Sequence, residues 1–149
     1  MLLATEGRAI PAAAVERAAA LARERGVGVH VFSVARVWGT NFGFPNPGLQ
    51  PTRQELIDQR EVVGEAVHAL ERHGVVASGR VLGTRKATKR IVGEAERLGC
   101  TAIVMAADPP RRRLVADLMW SQEPYRVQRR ARVPVHLVTA PGTALRSDA

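Results

Sequence analysis

Aromatic residues make up only 4% of this chain, cysteine occurs once, and lysine occurs only at Lys86 and Lys89. A lone Cys100 allows no internal disulfide. It follows Gly99, with no histidine or basic cluster beside it in sequence, so it reads as a packed thiol and not a reactive one. No apolar run approaches the ~18 residues of a membrane-spanning helix. The segment Met1–Gly7 is apolar but lacks the basic stretch and long apolar core of a secretory leader, so a cytoplasmic protein is expected. Gly-x-Ser-x-Gly, Walker and Cys/His metal spacings are all missing. His68 and His73 are five positions apart, off the i, i+4 spacing of a helical metal pair. Glu94 and Glu96 lie among basic residues and read as a solvated helix face. Nothing nominates a general acid–base pair, so no enzyme, no metal and no obligatory cofactor are expected.

What is present is ordinary globular material. The 149 residues are 46% apolar and 24% charged, which suits one domain with a real core. Residues 1–140 are expected to form that domain, with 141–149 as a polar tail. The net charge of +8 raises the question of nucleic acid. Basic clusters stand at Arg111–Arg113, at Arg129–Arg130 with Arg132, and at Arg85–Lys86 with Lys89–Arg90. Too few aromatics interleave with them to form stacking platforms, which disfavours nucleic-acid binding.

Strand and helix signals alternate along the chain. A short apolar strand, Met1 to Thr5, is followed by a helix from Ala12 to Arg25 that Gly26 stops. Pro11 suits that helix's first turn. Val27–Val34 is a β-branched strand in which His30 reads as a partly buried polar residue. Trp38–Pro51 is a Gly/Pro-rich loop, with Phe42 and Phe44 as anchors to the core or as lid residues. The periodicity predicts a helix over Thr52–His73 with Leu56, Val63, Val67 and Leu70 on one stripe. A strand Val75–Leu82 and a helix Arg85–Leu98 follow, the helix turning Ile91, Ala95 and Leu98 inward. Next come a strand Thr101–Ala107, a short helical turn Leu114–Trp120, a helix N-capped by Ser121 that continues to Ala131, and a last strand Val133–Thr139. Such alternation predicts an α/β domain: an open, five-stranded parallel sheet with helices on both faces.

In such a sheet the turn leaving a central strand is where glycine backbone N–H groups usually cradle phosphates. Here that turn, Asp108–Arg113, has no glycine and has two prolines, which have no N–H to donate.

Three segments carry a resemblance: the opening Leu2–Gly7, the stretch Ile91–Ala107 (IVGEAERLGCTAIVMAA), and the closing Val127–Val138 (VQRRARVPVHLV). On these the chain resembles the universal stress protein family over nearly its whole length. The resemblance implies the strand order three-two-one-four-five, a stress-response or regulatory role, and a homodimer joined through Val133–Val138. The nucleotide-binding branch of that family carries Gly-x2-Gly-x9-Gly-(Ser/Thr) after the fourth strand. With the register set by Pro134–Val135, those positions fall without a gap on Asp108, Arg111, Ser121 and Gln122. The spacing is kept while every motif residue differs. Glu6 stands where many members have Asp at the first strand's end.

Thr5, Glu6, Val34, Gly83, Ala107 and Asp108 are therefore expected to line the crevice where strand order reverses. Two readings compete for it. In the first, ATP binding is lost or weakened. In the second, Arg111, Arg112 and Arg113 replace the backbone cradle with cations that hold a nucleotide or small anion. Thr84, Arg85, Lys86 and Thr88, at a helix N-terminus, would then add donors. A weak adenine nucleotide is the one cofactor this leaves open.

Overall fold

The computed structural model describes residues 1–35, 40–41, 44–45, 53–108 and 122–139. Every residue of β1 (Leu2–Thr5) is buried, because this strand lies mid-sheet with helices on both faces. The chain continues through α1 (Ala12–Arg25), β2 (Val29–Ala35), β3 (Thr40–Asn41) and β4 (Phe44–Pro45) to α2 (Arg53–Arg72). It ends with β5 (Ala77–Gly83), α3 (Ala87–Arg97), β6 (Ile103–Ala106), α4 (Glu123–Arg130) and β7 (Val135–Val138). The five-stranded sheet has the order β5-β2-β1-β6-β7, all pairs parallel. Counting only its own strands, that is the expected three-two-one-four-five.

Side-chain alternation assigns the helices to their faces. Leu3, Val31 and Val104 pack under α1 and α2. Leu2, Phe32, Ile103 and Met105 pack under α3 and α4, against Ile91, Ala95 and Val127. Helix α1 presents Ala14, Ala18, Ala19 and Ala22, all fully buried, so its backbone sits close to the sheet. Its stop is Gly26, at φ +64° in the left-handed region. On the other flank, α2 presses so near β5 that a Cβ at Gly79 would run into Val63 Cγ1.

Several expectations are corrected. Val27 and Val76 are exposed, and β2 and β5 start at Val29 and Ala77, two residues later than the apolar runs suggest. The chain needs those residues to travel from the helix stop back to the sheet. Pro11 is the N-cap of α1, one position before the first helical residue. Leu98 is exposed, not inward, because it lies at the C-cap just past the end of α3. Glu94 takes a buried position on that helix instead, so the Glu94–Glu96 pair is not one solvated face. The Trp38–Pro51 stretch contains an antiparallel ribbon, with Thr40 opposite Pro45 and Asn41 opposite Phe44. Helix α4 has Gln122 as its N-cap, without a side-chain bond, where Ser121 was expected. The short turn expected at 114–120, Phe42, Ser121 and the tail 141–149 lie outside the described residues.

Candidate functional site

Sheet order reverses between β1 and β6, and the chain leaving β1 carries the first group of interest. Glu6 follows the strand directly and is only 2% exposed, an expensive place for a carboxylate without a partner. Gly7, at φ +91°, turns the chain so that Arg8 reaches back over it. Arg8 Nε donates to Glu6 Oε1 at 2.6 Å, and Arg8 Nη1 donates to Asp108 Oδ2 at 2.8 Å. One guanidinium thus bridges the two carboxylates that flank the crevice. Burial works against the Arg8 charge. The Glu6 carboxylate and the hydrogen bond to Asp108 outweigh it, and the guanidinium is held above its usual range.

The surrounding polar groups fasten this bridge. Thr5 Oγ1 accepts from the Arg8 backbone N–H at 3.1 Å and donates to the Arg8 carbonyl at 2.8 Å. Gln59 Nε2, on α2, donates to the Gly7 carbonyl at 2.9 Å, and Ser33 Oγ donates to Gln59 Oε1 at 2.7 Å. Tyr125 Oη, on α4, donates to the Asp108 carbonyl at 2.6 Å. Burial, and then the Asp108 charge, push the Tyr125 phenol up, so it keeps its proton.

The other expected site residues divide. The Ala107 N–H is already used by the Val138 carbonyl at 2.9 Å. Val34 is fully buried in the core under α3 and α4. Gly83 is exposed at the end of β5, and the Thr84 N–H donates to the Ala35 carbonyl at 3.3 Å. Gln122 is exposed at the start of α4. Arg111, Arg112, Arg113 and Ser121 lie outside the described residues. Arg8 was not among the expected residues. Its signal, a cation two positions beyond Glu6, acquires meaning only when Asp108 is known to face it.

A second region lies on the seam between α3 and α4. There a groove of about 510 Å³ is lined by Arg85, Lys86 and Lys89 on one side and Arg126, Arg129 and Arg130 on the other. Glu123 forms part of its lining but is only 6% exposed, accepting from Thr88 Oγ1 and, at 3.2 Å, from Arg126 Nη1. Arg85, Lys86 and Thr88 thus face this groove.

At the opposite end of the sheet, Glu94 is surrounded by Arg97 at 2.7 Å, His30 Nε2 at 3.3 Å and Arg80 at 3.5 Å. The Arg97 hydrogen bond holds the Glu94 carboxyl below its usual range despite burial. His30 Nδ1 lies 2.8 Å from Ser78 Oγ, and burial lowers the imidazole pKa although Glu94 favours its charge. This serine–histidine–glutamate chain has its carboxylate committed to arginines and stands at the strands' amino ends, away from the crevice. It reads as structural. Among the described residues no group of three His, Cys, Asp or Glu side chains is placed to hold a metal, and no helix is long and apolar enough to cross a membrane.

Comparison with solved structures finds the same architecture elsewhere. A universal stress protein from Archaeoglobus fulgidus superposes with a TM-score of 0.66 at 21% identity, covering 91% of this chain and 90% of that one. A universal stress protein from Archaeoglobus fulgidus in complex with dAMP gives 0.64 at 21% identity, over 91% and 94% of the two chains. A family protein from Burkholderia pseudomallei gives 0.62 at 23% identity, over 93% and 95%. At these identities the likeness establishes the fold alone. Comparison with curated protein sequences returns no match. The family itself is settled by its sequence profile, which spans residues 1–139: this chain belongs to the universal stress protein family.

Proposed function

We propose that this chain is a non-catalytic stress-response or regulatory protein whose affinity for adenine nucleotides at the crevice is lost or weakened. The observation that carries this reading is the Glu6–Arg8–Asp108 bridge. Among the described residues, the guanidinium that reaches the crevice is shared by two carboxylates, which leaves one negative charge in excess where an incoming phosphate would bring more. The neighbouring donors are spent as well: the Thr5 hydroxyl on Arg8 and the Ala107 N–H on Val138. Pro109 and Pro110, next in sequence, have no N–H to donate. The fold neighbour solved with dAMP is the natural contrast, since its architecture is the one this chain shares.

Strand β7 is a sheet edge with all four residues half-buried, which supports a homodimer formed by pairing that edge with a second copy. The place of action proposed for it is the cytoplasm.

Titration of the protein with ATP, AMP and cyclic AMP tests the reading. No crevice-dependent binding is expected. Micromolar binding abolished by Arg111→Ala with Arg112→Ala would overturn it, in favour of an arginine loop that replaces the glycine cradle.

A further inference from the structure

The α3–α4 groove stands apart from the crevice in its charge. Its two walls come from sequence segments about forty positions apart, 85–89 and 126–130, and folding places them face to face. Six cationic side chains line it against one carboxylate among the described residues, and that carboxylate is buried and already engaged by Thr88 and Arg126. Among the described residues, Lys86, Lys89, Arg129 and Arg130 make no ion pair, although all four are exposed. Like charges gathered without counter-charges repel one another, and an anion that binds there relieves that repulsion.

The backbone adds to the same field. Helix α3 starts at the groove with no side-chain cap and no acidic residue of its own in its first turn, so its positive end adds to the field, offset in part by Glu123 on Thr88.

We infer that this groove binds a compact polyphosphate, meaning a ligand that carries two or more phosphate groups close together. Three features select that class. The volume of about 510 Å³ fits within the ~300–1,000 Å³ common for small-ligand sites. The cations converge from two walls on one space, which suits clustered charge better than the evenly spaced phosphates of an extended strand. Among the described residues no aromatic side chain lines the groove to offer a base a stacking surface. Arginine forks on α4 and lysine points on α3 together favour phosphate oxygens. The inference does not rest on the crevice reading, because it uses none of Glu6, Arg8 and Asp108; Arg85 and Lys86, expected as donors to the crevice, line the groove.

Isothermal titration of the full chain with inorganic tripolyphosphate, repeated at about 50 and about 200 mM salt, is the test. Binding is expected to weaken about tenfold or more in Lys86→Ala with Lys89→Ala, and likewise in Arg129→Ala with Arg130→Ala. Thermal midpoints of both variants should match the parent, since the four side chains are exposed. Arg53→Ala with Arg60→Ala removes the same charge from the exposed surface of α2 and should leave affinity unchanged. ATP bound through its phosphates should lose affinity in the groove variants and keep it in Arg111→Ala with Arg112→Ala, which separates this site from the crevice. Failure of tripolyphosphate to bind, or an equal loss in the α2 control, would overturn the inference. An oligonucleotide that binds more tightly than tripolyphosphate, through the same groove residues, would overturn it in favour of a nucleic-acid surface.

Discussion

The crevice and the α3–α4 groove both gather charge, and they handle it in opposite ways. In the crevice a half-exposed arginine and two carboxylates close on one another at 2.6 and 2.8 Å, so the charges serve the fold. Along the groove, Lys86, Lys89, Arg129 and Arg130 are exposed and have no ion-pair partner among the described residues, so their charge faces solvent. The difference teaches how to separate structural from binding charge. A buried ion that finds its partner within the chain affects stability when removed. An exposed unpaired ion affects affinity and leaves stability nearly untouched.

Arg8→Ala should therefore show the largest stability effect. It leaves the buried Glu6 carboxylate without its guanidinium, at an expected cost of about 2–3 kcal/mol, read by urea denaturation. Arg8→Lys should recover part of that loss, since a single ammonium cannot hold both carboxylates in the same fork. Unchanged stability in Arg8→Ala would dissolve the contrast between the two regions.

Glu123→Gln sharpens the contrast from the other side, because this one groove residue is buried like Glu6. Loss of the charge-assisted contacts to Thr88 and Arg126 should cost about 1 kcal/mol in stability. The same change removes the carboxylate that lines the groove among the described residues, so tripolyphosphate should bind more tightly by titration calorimetry. A variant that is less stable but no tighter would separate the groove's packing from its field.

A smaller effect comes from the imidazoles. Burial lowers the pKa of both His30 and His136, with Arg17 and Arg25 also opposing the charge on His136. The unfolded chain then binds protons more readily than the folded one. Stability from these groups is present above the unfolded value of about 6.5 and is lost as pH falls below it. The thermal midpoint should drop between about pH 7 and about pH 5.5, and drop less in His30→Gln with His136→Gln. An identical drop in that variant would assign the acid sensitivity to carboxylates. Glu94, whose pKa is lowered, loses its contribution only below the usual carboxylate value near 4.5.

Smallest of all should be the stability change in Lys86→Ala with Lys89→Ala, expected within about 0.5 kcal/mol by urea denaturation. A larger loss would mean that the groove cations hold the fold after all.

Much of the architecture was legible in the amino-acid order. The stop of α1 fell on Gly26, and in the structure Gly26, Gly74 and Gly99 each take a positive φ just past a helix end. The buried stripe of α2 includes Val63 and Leu70 as the period of 3.6 residues requires. The strand order came from the family resemblance. Strand starts were harder, because Val27 and Val76 look like strand residues but sit on the connecting turns. Glu94 was misread because its burial depends on Arg80 and His30, which arrive from β5 and β2. Of the candidate site, Glu6 and Asp108 were named in advance, while the residue that joins them was not.

Local order along the chain was enough for the alternation of strands and helices and for the helix stop at Gly26. Those properties depend on neighbours within a few positions, where propensity and periodicity act. Charge pairing is different, since it depends on distance through space. Arg8 meets Asp108 across one hundred positions, and the basic segments of α3 and α4 meet only because both helices cover the same face of the sheet. Folding alone decided which charges cancel and which remain open.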